Sequence, residues 1–342
     1  MTSQRDIFLF VALAVAWGTA FGAVEVGLAT LPPILFAALR LDGAVLLFAA
    51  AIAAFGYEWR PRTREDWVTI MISGGLIVGG HYGLMFLGQS YVSSAVAAIV
   101  LSLTPIVTPP LAIALLPSER IRAPAIVGLV VGLAGVVIIA LSGGSLDGQV
   151  IGVALLFGSS FVFATGAVLT ERTRGTLPLL PLQTWAMAVG AAMLHTLSFA
   201  HPGEAVVSTL TTAWTPETAA ALVYLAVVST AGGFLAYFTL LERVGASELS
   251  LVNYASPVVA TVVGWALLGE SITLATIAGF GLILLGFALC KIDALWKTAA
   301  PVVGYGPTRQ VAAAAEEIVV DGNVYVIGTG NDRYVGSVRS AD

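Results

Sequence analysis

Charge is what this sequence has least of. Of its 342 residues only 35 are Lys, Arg, Asp or Glu, 10% of the chain, against roughly 25% in an average soluble domain. Lysine occurs twice, at Lys291 and Lys297, and neither stands in a glycine-rich loop. A phosphate-binding GxxxxGK[ST] loop is therefore excluded, and with it ATP hydrolysis of that kind. The single cysteine, Cys290, excludes an internal disulfide. Three scattered histidines, His81, His195 and His201, come without an HExxH pattern, so neither a metal nor any other cofactor is expected. A net charge of −5 is too diffuse for a nucleic-acid footprint, and no nucleic-acid partner is expected. What the chain does have is apolar residues, 58% of the total, gathered into runs of about 20, the length a helix needs to cross hydrocarbon. The expected class is an all-α membrane protein with the lipid bilayer as its surroundings.

Apolar windows predict ten transmembrane helices, over about 7–28, 33–55, 67–88, 94–116, 123–141, 149–170, 181–200, 217–241, 247–268 and 272–291. The N-terminal MTSQRD carries no net positive charge, and further spans follow, so the first window reads as a retained helix rather than a secretory signal. With a cytoplasmic N-terminus the inside connections hold eleven basic residues: Arg5, Arg60, Arg62, Arg64, Arg120, Arg122, Arg172, Arg174, Arg243, Lys291 and Lys297. The outside connections hold none. The positive-inside rule then puts both termini in the cytoplasm and the protein in the cytoplasmic membrane. Residues 293–342 form a short cytoplasmic tail with 10 charges in 50 residues. There Ile318 to Val320, a turn at Asp321-Gly322 and Val324 to Ile327 read as a β-hairpin, with Tyr334 to Val338 as a third strand. No function is assigned to the tail.

The two halves repeat. Trp17-Gly18-Thr19-Ala20-Phe21 matches Phe157-Gly158-Ser159-Ser160-Phe161, and Pro105 followed by Glu119 matches Pro257 followed by Glu270. A glycine stands nine residues beyond each Glu, Gly128 and Gly279. Five helices are an odd number, so the two repeats must insert with opposite topologies: 1–148 as the first, 149–292 as the second. Inverted repeats with broken helices near the midplane are a construction principle of secondary transporters.

These residues carry a resemblance. WGTAF, a Pro-preceded second helix with Leu39-Arg40, Tyr91-Val92-Ser93-Ser94-Ala95, Pro105, SER at 118–120 and Gly128 are similar to the EamA-type drug/metabolite transporters. Val244-Gly245-Ala246-Ser247, Pro257, LLGES at 267–271 and Gly279 repeat the pattern over the second half. The resemblance covers about residues 7–291 and implies export or exchange of a small metabolite without ATP. One departure is Glu25: the position seven after the WG glycine is often basic in that family, so substrate charge is not carried over. Family members often carry a polar residue near Gln183, which draws the neighbouring Trp185 into the candidate set.

Polar groups within a bilayer are costly and either pair inside the bundle or face a wet cavity. Glu25 is read two ways, as a binder of a cationic group or a proton, or as the ion-pair partner of Arg40; Asp42 turns to another face. Gly75, Gly79 and Gly83 make a small-residue stripe for helix contact. His81 points away from it, to a cavity or to a hydrogen bond with a neighbouring helix. Tyr82, Gln89 and Tyr91 lie on the same route, as ligand contacts or interfacial anchors. Pro257 frees the carbonyl of Asn253 beside Tyr254; Ser102 and Thr104 before Pro105 are the counterpart, and both prolines are expected to break or gate their helices. Trp17, too deep for an interfacial belt, and Trp185 are aromatic-wall candidates or core filler. The leading reading is a secondary transporter that exports or exchanges a small metabolite such as an amino acid by alternating access. Behind it stand an exporter of organic cations or drugs, and then a lipid-handling protein or intramembrane enzyme. A homo-oligomer is left open.

Overall fold

The computed structural model describes residues 4–115, 123–141, 148–173, 175–201, 203–204, 214–244, 249, 251–290, 316–320 and 323–327. Glu119, Arg120, Arg122, Asp147, Gly245 to Ser247, Lys291, Lys297, the turn at Asp321-Gly322 and Tyr334 to Val338 lie outside them. The chain divides into two units, Met1–Cys290 and Lys291–Asp342.

The first unit is helical. Its elements are α1 (Gln4–Leu28), α2 (Pro33–Phe55), α3 (Arg64–Gln89), α4 (residues 94–115), α5 (Ala123–Leu141), α6 (Gly148–Thr173), α7 (Leu179–Ala200), α8 (residues 216–244), α9 (Val252–Leu268) and α10 (Leu274–Cys290). Among the described residues six helical spans, over α1, α2, α3, α4, α6 and α8, are long and apolar enough to cross a membrane, and three shorter apolar helices accompany them. Their outer surface is apolar. Phe8 is 70% exposed, Leu46 70%, Leu267 77% and Leu274 82%, an arrangement suited to a lipid environment. In the second unit the strands β1 (Glu316–Val320) and β2 (Asn323–Ile327) pair antiparallel, Ile318 opposite Tyr325.

Close helix crossings depend on missing side chains. A Cβ at Gly18 would lie 2.5 Å from Val259 Cβ and 2.7 Å from the Ser256 carbonyl, so α1 approaches α9 there. At Gly128 it would stand 2.4 Å from the Gly286 carbonyl, and at Gly279 2.7 Å from that of Gly135. The α5–α10 pair is thus held at backbone contact distance through the two repeat-matched glycines.

The α3 stripe needs a correction. Gly75 meets nothing within 4 Å, whereas a Cβ at Gly74 would be 2.6 Å from Val189 and one at Gly79 2.8 Å from Met193 Sδ. The reason is a π-helical segment, Ser73–Gly80, inside α3. Its wider turn needs about one more residue than an α-turn, so the α7-facing glycines are five apart, Gly74 and Gly79, before the spacing returns to four at Gly83. A second π-segment, Leu225–Gly232, interrupts α8. Ser73 and Leu225 are 152 residues apart, the same step that separates Pro105 from Pro257.

Buried carboxylates tie the helix ends. Asp66 completes a capping box with Thr63 at the start of α3. It also accepts from the backbone N–H of Thr176 (2.6 Å) and Leu177 (3.2 Å), just before α7. Glu204, four residues past the end of α7, does the same for α2: it accepts from Ile34 N–H (2.7 Å), Leu35 N–H (3.0 Å) and the Ser198 hydroxyl (2.5 Å). Proline at 32 and 33 leaves α2 without a side-chain cap of its own, and Glu204 supplies it from 170 residues away. Threonine pairs repeat the pattern: Thr69 with Thr173 joins α3 to α6, and Thr218 with Thr30 joins α8 to the end of α1, each at 2.6 Å.

Candidate functional site

Arg40 is the only arginine or lysine within an apolar run of the first unit, and it is 4% exposed. Its partners come from the π-segment of α8. Nε donates to Thr230 Oγ1 (3.1 Å) and Nη2 to Ser229 Oγ (3.4 Å). A π-turn displaces carbonyls from the regular ladder, and the segment uses its own hydroxyl to answer one of them: Thr230 Oγ1 donates to the Leu225 carbonyl at 2.7 Å. Another is answered from α1, where Trp17 Nε1 donates to the Ser229 carbonyl at 3.2 Å. Trp17 then stacks on Tyr237 with ring centroids 5.5 Å apart.

The other face of the guanidinium lies over the Tyr82 ring, 4.7 Å from its centroid, a cation–π contact of about 2 kcal/mol or more where water is excluded. Tyr82 meets His81 edge-on at 5.0 Å. The imidazole itself turns to α6. Ser159 donates its hydroxyl to the His81 carbonyl (2.9 Å), which leaves His81 Nδ1–H to donate to Ser159 Oγ at 2.7 Å. Of the two readings of His81, the hydrogen bond to a neighbouring helix is the one the structure contains.

The expected Glu25–Arg40 ion pair is absent. Helix spacing along the chain does not fix how two helices rotate about their axes, and α1 turns Glu25 toward the end of α3 and the start of α4. There Gln89 stands within hydrogen-bonding reach of the Glu25 carboxylate, and Glu270 is the charge that acts on it. Gln89 is 1% exposed and donates Nε2 to the Phe21 carbonyl at 2.7 Å. Gly269, at φ 68°, reverses the chain after α9. Glu270 is thereby placed to accept from the backbone N–H of Ser94 (2.8 Å) and Ala95 (3.3 Å), at the start of α4. A negative carboxylate at a helix N-terminus is favourable.

The remaining candidates lie apart from Arg40. Asp42 pairs with His195 of α7 at 2.8 Å. Trp185 donates to the Trp59 carbonyl (2.8 Å) and stacks on the Trp59 ring at 5.9 Å. With Tyr57, Val45, Ala49 and Thr184 these two tryptophans line a cleft of about 610 Å³ between α2 and α7. Tyr254 packs on Phe287 of α10, centroids 4.2 Å apart, and Asn253 precedes it on α9. Pro105 does break its helix: α4 consists of Ser94–Leu101 and Thr104–Leu115. The Leu101 carbonyl that Pro105 frees accepts from Thr104 Oγ1 (2.8 Å), and Ser102 Oγ donates to the Ile99 carbonyl (2.6 Å). Pro257, by contrast, is carried inside the continuous helix α9.

Ser229, Thr230, Ser159 and Glu270 were not singled out as site residues from sequence. A usable signal existed: Ser229-Thr230 directly precedes Ala231-Gly232-Gly233, which stands 152 residues after Gly79-Gly80-His81.

A lipid-facing helical bundle with a buried, hydroxyl-held cation defines a polytopic membrane protein. The chain belongs to the EamA-like transporter family, whose model matches residues 4–141 and again 150–291, so the family domain occurs twice. An uncharacterized transporter of Archaeoglobus fulgidus is 31% identical, over 79% of this chain and 92% of that protein. A Salmonella typhimurium protein named a probable amino-acid metabolite efflux pump is 28% identical, over 83% of this chain and 94% of that one. A solved crystal structure 21% identical superposes with a TM-score of 0.59, covering 85% of this chain and 98% of its own; it supports the fold alone.

Proposed function

We propose that this transporter is a secondary exporter or exchanger of a small carboxylate-bearing metabolite of the amino-acid class. It works by alternating access in the cytoplasmic membrane. Ten crossings arranged as two inverted five-helix halves, 1–148 and 149–292, with both termini cytoplasmic, are the frame. Arg40 carries the reading. A buried guanidinium among neutral hydroxyls and a phenol ring, with no carboxylate paired to it among the described residues, is a charge that costs several kcal/mol in hydrocarbon. A substrate carboxylate is the anion that offsets it. Trp17 and Tyr82 form the walls, and the two π-segments supply the helix breaks about which one half moves against the other. The efflux pump among its relatives supports the amino-acid class.

Counterflow in proteoliposomes without nucleotide tests this. Amino acids with a free carboxylate should exchange, and their amides should not. Arg40→Lys should retain weak exchange and Arg40→Gln lose it at wild-type yield. Exchange of the amides at equal rate, or of organic cations in their place, would overturn the assignment.

A further inference from the structure

Where α1 and α3 finish and α4 begins, four elements bring oxygen atoms together with too few protons between them. Glu25 Oε2 of α1, Gln89 Oε1 of α3 and Ser94 Oγ of α4 are all fully buried and make no hydrogen bond. Glu270, following α9, reaches into the same space. A Cβ on Gly264 would lie 2.2 Å from Glu270 Oε2 and 2.9 Å from Ser94 Oγ, so the absent side chain of that glycine is what gives both atoms room. Glu270 is already supplied with donors by two backbone N–H groups. Glu25 is not.

We propose that Glu25 and Glu270 form a proton-binding pair that holds one proton while this end of the bundle is closed. The proton adds to a Glu25 oxygen as an O–H group, and no other bond is made or broken. That O–H supplies the missing donor, to Gln89 Oε1 or to Glu270, and removes one of two like charges that a low-dielectric setting would otherwise hold together. When α1 and α9 separate, both carboxylates gain water and the proton leaves to it.

The surrounding charges favour a proton over a bridging cation from the protein. From α2 the charged group is Arg40, committed to Ser229, Thr230 and Tyr82. From α8 the titratable group is the phenol of Tyr224, bonded to Thr19. From α9 it is Tyr254, turned to Phe287. From α3 Gln89 is neutral, with Tyr82 under Arg40. As a device that couples movement of the halves to protons, the pair rests on the transport reading above; as a proton site it does not.

Infrared titration of the purified full chain reads the site directly and needs no substrate. The expected result is a carbonyl-stretch band of a protonated carboxylic acid that persists above the pH at which exposed carboxylates ionise. It should be lost in Glu25→Gln, displaced but present in Glu25→Asp, and unchanged in Glu58→Gln, an exposed control. In Glu270→Gln the band should vanish earlier in an upward titration, because the neighbouring charge is gone. A wild-type band that survives Glu25→Gln in monodisperse protein overturns the proposal. So does a band abolished at constant pH by replacing choline chloride with sodium chloride, which would make the cluster a sodium site.

Discussion

Glu204 offers the sharpest test of how the first unit is held together. Its carboxylate is 8% exposed and accepts from two backbone N–H groups at the start of α2 and from the Ser198 hydroxyl. Glu204→Ala leaves those donors without a partner in a place water reaches poorly. Loss of a helix cap costs about 1–2 kcal/mol, and hydrogen bonds to a charged group are worth about 1.5–3 kcal/mol each. The terms overlap, so a net loss of about 2–3 kcal/mol is expected. At about 2–4 °C per kcal/mol for chains somewhat shorter than this one, the unfolding midpoint should fall by about 5–10 °C. Asp66→Ala should fall further, because Asp66 accepts from the N–H groups of Arg62, Thr63, Thr176 and Leu177 as well as the Thr176 hydroxyl. Glu58→Ala, removing an exposed pair with Arg62, should change the midpoint hardly at all. Scanning fluorimetry in detergent, following the seven tryptophans, measures all three. If Glu204→Ala melted within a degree of wild type, the idea that a remote carboxylate caps α2 would be refuted.

Two further predictions are independent of that one. Gly75→Ala should be neutral, whereas Gly74→Ala, one residue away, should cost about 1–3 kcal/mol by forcing α3 off Val189; equal effects in the same melting assay would contradict the π-helical register. In a Cys290→Ser background, Tyr91→Cys should react with an impermeant maleimide on intact cells and Arg62→Cys should not, and the reverse pattern would invert the proposed orientation.

Helix positions were legible because they rest on apolar run length, which the bilayer dictates: α2 starts at the residue where its window starts, and α4 likewise. The break at Pro105 was legible too, since proline marks the residue that makes it; Gly128 and Gly279 were read as markers of the repeat, not as crossings. The π-segments left no such mark. SGGLIVGG and LAVVSTAG read as ordinary apolar helix, and so the glycine seam of α3 was placed on Gly75 instead of Gly74. The Glu25–Arg40 pairing failed for a related reason: nearness along two adjacent helices says nothing about their rotation, which Gly18 against Val259 and Arg40 against Thr230 decide. Glu204, Asp66 and Glu270 act on backbone N–H groups more than 100 residues away, a relation no local pattern encodes.

The two π-segments also mark the repeat in the backbone. They begin 152 residues apart, in α3 and in α8, so one falls in each of the two family domains. The residue that follows each segment differs: His81 after the first and Gly233 after the second. A Cβ at Gly233 would lie 2.6 Å from Trp17 Nε1. One segment ends on an imidazole and the other on the space an indole fills, so the two are not interchangeable.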